Sequence, residues 1–233
     1  MSDKISLDDV RNTLAKLEDR IIFSLIGRGE FKVNKVMYVA QGIDIPGFKQ
    51  SYLDYLLHGT EKLHALAGRY VDKSEHPFFA DLPQSLAHRK VDEFPLPEII
   101  DVNRNAEIKT IYLNQISSFC EAGDDNQYGA AAVWDIRCLQ DLSRRIHFGM
   151  FVAESKYQQD SEGYKALVED GNVEGIVDKL RNVSVEEKIL QRLRDKGQRY
   201  GFNPDLISGV YANHVIPRTI DVEVEYLFKR VRG

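Results

Sequence analysis

One stretch of the chain, Cys138 to Tyr157, constrains the fold more than any other, because it predicts a single uninterrupted helix with an apolar surface. Arg145 and Lys156 interrupt that surface. They lie eleven residues apart, so roughly 100° per residue brings their side chains to within about 20° of each other. Two cations on one side of a core helix need a negative partner, and an anionic ligand is one candidate. The alternative, which the spacing alone favours, is that both reach solvent or pair with the chain's own carboxylates.

The composition excludes several classes of function. The 233 residues are 43% hydrophobic and 29% charged, as in an ordinary globular protein. A net charge of −5 gives no general attraction for nucleic acid or for an anionic membrane. The apolar runs are far shorter than the ~20 residues that span a bilayer, and the first residues lack the pattern of a signal peptide. We therefore expect a cytoplasmic protein with neither a nucleic-acid nor a membrane partner.

The sequence contains no motif for a metal, a nucleotide or a redox cofactor. Cys120 and Cys138 lack metal-ligand spacing and are predicted to be free thiols, although the sequence alone leaves a disulfide open. The six histidines are scattered, and GxxxxGK[ST], HExxH and GxSxG are absent. Asp124 and Asp125 fit a turn and a helix N-cap better than a metal site. We expect no cofactor.

Helical spacing recurs along the chain and predicts an all-α fold. Ser6 to Asp9 resembles a capping box that opens a first helix, which should run to about Arg28, where two glycines weaken it. Further helices are predicted near 105–119, from about 126, and at 162–169, 173–182, 185–200 and 204–232. Residues 72–97 are predicted to be irregular. Since no linker is visible, we expect a single domain, 1–233, built as a multi-helix bundle.

A second helix should follow Pro46-Gly47. The spacing of its apolar residues predicts which side is buried. That predicted buried side comprises Tyr52, Tyr55, Leu56, Leu63, Leu66 and Tyr70.

Two further polar pairs share the spacing of a helix face. Asn182 and Glu186 are four residues apart, as are Thr219 and Glu223. These residues can also be interpreted as structural. Glu186, for example, suits the first turn of a helix, where an acid interacts favourably with the helix dipole. Glu223 and Glu225 alternate with valines, so one glutamate of the two is expected to point inward. Taken singly, these residues favour a structural role.

Nearly the whole chain resembles the all-helical chorismate mutases of fungi and plants. The matching segments occur in the family's order: LEDRIIFSLIGR, PFF at 77–79, CLQDLSRRIHFGMFVAESKY, VEEKILQRL at 185–193 and VIPRTIDVEVEYLFKR. The resemblance implies an all-α homodimer that converts chorismate to prephenate by a [3,3] rearrangement, the branch step toward phenylalanine and tyrosine. The reaction is pericyclic and needs no cofactor.

The resemblance also implies catalytic roles for four residues. Arg11 and Arg145 match the family's two carboxylate-binding arginines, whose forked donors suit a carboxylate. Lys156 matches the lysine that donates to the ether oxygen and to one carboxylate, and Glu223 matches the glutamate on the other side of that oxygen. A glutamate can donate there only when it is protonated, so burial and the bound anion should raise its pKa.

Three further residues complete the substrate site implied by the resemblance. Asn182 and Glu186 match the pair near the ring hydroxyl of the substrate. Thr219 matches a residue that contacts a substrate carboxylate.

Regulated relatives bind tyrosine or tryptophan at a dimer-interface site distant from catalysis. Two hydroxyl-bearing residues of that site are replaced here by Ala130 and Val133, which removes hydroxyls that could hold the charged groups of an effector. Glu18, Asp19, Arg69 and Gly129 could still form a weakened site. Fungal members have two adjacent arginines where this chain has Gly68-Arg69. We therefore expect weak or absent feedback control. The matching positions are Glu18, Asp19, Gly68, Arg69, Asn126, Gly129, Ala130 and Val133.

The competing class is a non-catalytic helical dimer that acts as a metabolite sensor or as a scaffold. The complete set of charged residues argues against a scaffold, which has no need for buried charge.

Overall fold

The computed structural model describes residues 5–90, 96–97 and 100–233, and these residues contain helices but no β-strand. The all-α prediction is therefore confirmed for this part of the chain. No helix within it is long and apolar enough to cross a membrane. The α-helices are α1 (Leu7–Gly29), α2 (Tyr52–Leu66), α3 (Asn105–Gln115), α4 (Tyr128–His147), α5 (Gly149–Gln159), α6 (Ser161–Glu169), α7 (Val173–Leu180), α8 (Val183–Tyr200), α9 (Pro204–Val210) and α10 (Ile216–Arg232).

Shorter helical turns connect several of these elements. Three are 3₁₀ turns, at Lys35–Tyr38, Arg69–Val71 and Ile116–Ser118, and a π-helical turn at Tyr211–Val215 joins α9 to α10. Residues 72–90 and 96–97 are irregular, as predicted, while residues 91–95 of that stretch lie outside the described part of the chain.

The chain divides into two compact units. The first unit comprises the described residues of Met1–Asp19, Asp92–Arg104 and Arg144–Gly233, and the second those of Arg20–Val91 and Asn105–Ser143. The helices α1 and α4 each contribute residues to both units.

In the first unit, α10 packs against α5, α6 and α7, and α8 packs against α9. Gly149 explains the close approach of α5 to α10, since a Cβ atom there would lie 2.9 Å from the carbonyl oxygen of Thr219 and 3.0 Å from its Cγ2. A buried carboxylate, Glu154, strengthens the same contact by accepting hydrogen bonds from the Tyr226 hydroxyl at 2.6 Å and from Arg230 Nε at 3.0 Å. The absence of a side chain at 149 therefore sets how closely these two helices meet.

The single helix predicted over 138–157 is wrong at one residue. The helix α4 ends at His147, α5 begins at Gly149, and Phe148 lies between them with φ −59° and ψ −14°. The Phe148 carbonyl accepts from the Phe151 N–H at 3.1 Å and from the Val152 N–H at 3.4 Å, so the turn is tightened towards 3₁₀ geometry. Glycine at the next position lowers the local helix propensity. The backbone direction nevertheless continues through the interruption, because Phe148 itself keeps right-handed helical dihedrals.

In the second unit, an ion pair is buried between Arg28 and Asp135, with Nε and Oδ1 2.7 Å apart. The guanidinium also donates to the carbonyls of residues 31–33. The hydroxyls of Tyr38 and Tyr112 donate to the carboxylate of Asp135 at 2.9 and 2.6 Å. A buried ion pair is tolerated when the remaining polar atoms are satisfied in this way.

The predicted buried face of α2 is wrong. Leu53, Leu57, Glu61 and Ala65 are buried, whereas two residues of the predicted face, Tyr55 and Leu63, are 46% and 68% exposed. The physical reason is Glu61, whose carboxylate accepts hydrogen bonds from the backbone N–H groups of residues 78 and 79. A pattern of apolar residues gives no signal for a buried glutamate.

The two glycines near the end of α1 make room for neighbouring groups. A Cβ atom on Gly27 would lie 2.6 Å from three ring atoms of Trp134, and one on Gly29 would lie 3.0 Å from the carbonyl oxygen of Phe119. Close packing thus accounts for both glycines, and α1 continues through Gly27 to end at Gly29.

Both cysteines are buried free thiols. Burial raises the pKa of Cys120 to about 11 and raises that of Cys138 further. Since the thiolate is the reactive form, neither cysteine has the surroundings of a nucleophile.

Candidate active site

One cavity of about 410 Å³ in the first unit contains every predicted catalytic and substrate-binding residue in its lining. Five helices supply these side chains, although they are widely separated in sequence. They are Arg11 from α1, Arg145 from α4, Lys156 from α5, Asn182 and Glu186 at the start of α8, and Thr219 and Glu223 from α10.

The walls between these polar side chains are apolar. Such walls lower the local dielectric constant, so charges in the cavity interact more strongly than they would in water. The apolar lining residues are Leu7, Leu14, Val152, Leu180, Val185, Ile189, Ile216 and Ile220.

Lys156 and Glu223 contact each other in the lining of the cavity. Lys156 Nζ lies 3.3 Å from Glu223 Oε2 and donates to the carbonyl oxygen of Leu180 at 2.5 Å. Glu223 is only 5% exposed. Burial raises its pKa, and the opposing effects of Lys156 and Arg145 do not cancel that increase. The carboxyl group therefore retains its proton to a higher pH than an exposed glutamate does, and it can act as a hydrogen-bond donor.

Arg145 is buried in the cavity wall and is 3% exposed. Its Nη1 donates to Thr219 Oγ1 at 3.2 Å, and that hydroxyl in turn donates to the carbonyl oxygen of Val215 at 2.7 Å. The guanidinium carbon lies 5.6 Å from the centre of the Tyr211 ring, which suits a cation–π contact. The buried Nε has no hydrogen-bond partner among the described residues, so the guanidinium retains donor capacity for a ligand.

Four of the seven predicted residues form side-chain ion pairs, and Arg11 is the most exposed of these four. Its side chain is 49% exposed and its Nη1 lies 3.4 Å from Asp8 on the same helix. A single weak contact of this kind contributes little to stability, so the side chain can reorient toward an anion in the cavity.

Asn182 and Glu186 are positioned by the start of α8. Asn182 is the N-cap residue, and its Oδ1 accepts from the Val185 N–H at 3.2 Å and from the Ser184 hydroxyl at 3.0 Å. Because the side-chain oxygen caps the helix, a ligand contact falls to the amide NH₂ group. Glu186 lies in the first turn of α8, as its structural interpretation predicted, and it also lines the cavity.

The cavity lining concentrates positive charge in a protein whose net charge is −5. Five lining residues are basic and three are acidic, and protonation of Glu223 would increase the excess of positive charge. The basic residues are Arg11, Arg145, Lys156, Lys179 and Arg181, and the acidic ones are Asp160, Glu186 and Glu223. A cavity with this balance favours a small anion.

Sequence reasoning missed three charged residues of this lining: Asp160, Lys179 and Arg181. Lys179 forms an ion pair with Asp160. Arg181 donates to both carboxylate oxygens of Glu186. The signal for Arg181 was present, since it directly precedes the N-cap residue of α8.

Two of the predicted effector positions, Glu18 and Asp19, lie in the first unit. Glu18 is completely buried, and its carboxylate accepts from Arg192 at 2.6 and 2.8 Å and from Lys196 at 3.2 Å. Asp19 lies 3.0 Å from Lys196 Nζ. Both carboxylates are therefore already paired within their own unit.

The other six effector positions lie in the second unit. Arg69 donates to Glu75 at 2.8 and 3.0 Å and to Gln140 at 2.7 Å. Gly68 adopts the left-handed conformation with φ 78°, which glycine accepts without strain. Four positions at or just before α4 are exposed: Asn126, Gly129, Ala130 and Val133.

Known proteins similar to this chain are chorismate mutases. A family model described as "Chorismate mutase type II" matches residues 128–224. The chorismate mutase of Schizosaccharomyces pombe is 38% identical over 99% of this chain and 98% of its own length. That of Saccharomyces cerevisiae is 40% identical over 97% of this chain and 96% of its own length.

Solved structures of chorismate mutases are also similar to this chain. The Aro7p chorismate mutase from Candida albicans, in complex with L-tryptophan, has a TM-score of 0.92 and 36% identity, and the match covers 97% of this chain and 92% of that one. AtCM1, solved with tyrosine or with phenylalanine in its allosteric site, has a TM-score of 0.86 and 35% identity, with 97% of each chain covered.

The described residues form an all-α fold, and the lining of its cavity has more basic than acidic side chains. The similarity extends over nearly the full length of the relatives, so the chain belongs to the chorismate mutase family.

Proposed function

We propose that the cavity in the first unit is the active site of a chorismate mutase, which isomerises chorismate to prephenate in phenylalanine and tyrosine biosynthesis. One observation supports this most strongly: in a chain similar to chorismate mutases over its whole length, all seven residues expected to bind substrate line a single cavity. The whole chain, 1–233, would act as one chorismate mutase domain.

The first task of such a site is to hold a flexible dianion in a compact shape. A rearrangement within one molecule is accelerated when its reacting ends are held together. Arg11 and Arg145 would each bind a carboxylate of chorismate, since a guanidinium presents two parallel donors. Arg145 suits this role because Thr219 and Tyr211 already fix its orientation.

The second task is to stabilise negative charge on the breaking ether oxygen. Lys156 and Glu223 would donate to that oxygen from opposite sides, in a cavity where apolar walls strengthen each interaction. Lys156 has three donors, two of which engage Leu180 and Glu223. Glu223 would donate in its protonated form, which its raised pKa favours.

Removal of the Lys156 ammonium group tests the role of the ether-oxygen donor. We expect Lys156→Ala to lower kcat by about 10²–10³-fold, the size of effect seen when an oxyanion donor is lost. The matched control is Lys165→Ala, because Lys165 is a half-exposed lysine outside the cavity that pairs with Glu162 on its own helix. The measurement is the loss of chorismate ultraviolet absorbance without added cofactor.

A loss of less than tenfold in Lys156→Ala would contradict the assigned role. A parent chain that binds chorismate without converting it would favour the metabolite-sensor alternative over an enzyme.

The pH dependence of activity tests the protonation of Glu223. Its pKa is raised in the folded protein, and the protonated form is the donor. Activity should therefore be highest below that pKa and should fall as pH rises through it, by about tenfold per pH unit. In Glu223→Gln the amide donates at every pH, so this decline should be absent from its kcat profile. Superimposable profiles for the parent and the variant would show that Glu223 is not the titrating group.

We also propose that the chain is a homodimer, in line with the family resemblance. Seven large apolar side chains of the second unit are about half exposed or more, as expected of a surface that another chain covers. They are Phe23, Val39, Tyr55, Leu63, Val71, Leu86 and Val133. Light scattering should give twice the chain mass of 26.7 kDa, and a single-chain mass would refute the dimer.

Feedback control by aromatic amino acids is proposed to be weak or absent. Relatives of known structure bind tryptophan, tyrosine or phenylalanine. Here Ala130 and Val133 supply no hydroxyl group, and the guanidinium of Arg69 is engaged by Glu75 and Gln140. Addition of tyrosine or tryptophan at subsaturating chorismate should change the rate by less than about twofold. A severalfold change with either amino acid would disprove weak control.

The cytoplasmic location stays a prediction from the sequence.

A further inference from the structure

Arg181 and Glu186 form a contact that follows from their positions around the start of α8. Arg181 is the residue before the N-cap Asn182, and Glu186 is the fourth residue of the helix. In many helices these two positions carry apolar residues that pack together and fix how the chain enters the helix. Here an ion pair takes the place of that apolar contact, and it lies at the cavity instead of in the core.

The contact is a two-point fork. Arg181 Nε donates to Glu186 Oε1 at 3.1 Å, and Nη2 donates to Oε2 at 2.8 Å. A forked pair fixes the plane of the carboxylate as well as its position. Because each carboxylate oxygen has two lone pairs, both oxygens can still accept a hydrogen bond from a ligand.

The backbone on either side of Arg181 is well anchored. Its N–H donates to the carbonyl oxygen of Val177 at 2.9 Å, which ends α7, and Asn182 begins α8 immediately afterwards. The guanidinium is therefore presented from a short connection between two helices. A side chain on rigid elements can hold its partner in one orientation.

The cavity also offers Glu186 competing partners. Arg11 and Lys156 line the same cavity, and Glu186 is close enough for its charge to raise the pKa of Glu223. A carboxylate that turned toward those cations would occupy donors that the dianionic substrate needs. The two hydrogen bonds from Arg181 pair the carboxylate of Glu186 and hold it away from those cations.

We propose that Arg181 is a positioning residue of the active site, which holds the carboxylate of Glu186 in the orientation that accepts a hydrogen bond from the ring hydroxyl of the substrate. This inference rests on the proposed function, because it assumes that the hydroxylated ring of chorismate lies beside Glu186. It adds to the site a cation that acts through Glu186 without binding a substrate carboxylate.

A double-mutant cycle with Glu186 tests the proposal. Arg181→Ala should lower kcat/KM for chorismate by about three- to tenfold, since the pair is partly exposed and partly screened by solvent. In the Glu186→Ala background, the same Arg181→Ala change should alter kcat/KM by less than about 1.5-fold. A loss of equal size in both backgrounds would show that Arg181 does not act through Glu186, and would overturn the proposal.

Two further variants separate the fork from its charge. Arg181→Lys keeps the positive charge but lacks the planar pair of donors. We therefore expect its kcat/KM to be lowered nearly as much as that of Arg181→Ala. Full recovery in Arg181→Lys would show that charge alone matters and would overturn the proposal. Arg194→Ala is the matched control, because Arg194 has the same side-chain exposure, 46% against 47%, and pairs with Asp205 outside the cavity.

The activity of the parent chain distinguishes a failure of the positioning role from a failure of the proposed function. If the parent converts chorismate and Arg181→Ala matches it, the positioning role is wrong while the proposed function stands. If the parent does not convert chorismate, the proposed function is wrong and the role of Arg181 falls with it. Circular dichroism melting curves of each variant check that a loss of activity does not come from loss of fold.

Discussion

The contact between Lys156 and Glu223 is the interaction on which the site depends. A buried carboxyl group and an ammonium group lie 3.3 Å apart in a cavity with apolar walls. Burial disfavours the ionised carboxylate, whereas the neighbouring cation favours it, and the balance leaves the pKa of Glu223 raised. One group can therefore donate as a cation and the other as a neutral acid. Two donors of different charge type, facing one small space, suit an oxygen atom that gains negative charge during a reaction.

The rest of the first unit explains how this contact is maintained. Lys156 and Glu223 lie on α5 and α10, whose close approach requires glycine at 149. The Glu154–Tyr226–Arg230 network joins the same two helices. Arg145 reaches the cavity from the end of α4, just before the break at Phe148, and Thr219 on α10 holds it. Packing between helices thus sets the distances between charged groups that would otherwise repel one another or neutralise one another by pairing.

Much of the fold could be predicted from local patterns, and the errors have identifiable causes. Apolar periodicity gave most helices of the described chain to within a few residues, because burying an apolar stripe is what stabilises a helix in a protein. The single helix predicted over 204–232 is wrong, since a π-helical turn at Tyr211–Val215 separates α9 from α10. Apolar periodicity misjudged α2, where the buried Glu61 depends on backbone donors that lie 17 and 18 residues further along the chain. It also missed the break at Phe148, since the contact of Gly149 with Thr219 is distant in sequence.

The seven predicted site residues came largely from the family resemblance, since spacing alone favoured structural roles for them. The structure adds what neither source supplied, namely the pairing of Arg181 with Glu186 and of Lys179 with Asp160. Such contacts form when separate helix ends meet around a cavity, and no single stretch of sequence contains them.

The central claim is that Glu223 keeps its proton in a cavity that also holds a lysine. A carbon-13 NMR titration of the Glu223 side-chain carboxyl in the unliganded protein measures this directly, with Glu223→Gln used to assign the signal. We expect a midpoint above the ordinary glutamate value of 4.5. A midpoint at or below 4.5 would show that the cations outweigh burial, and it would contradict the account.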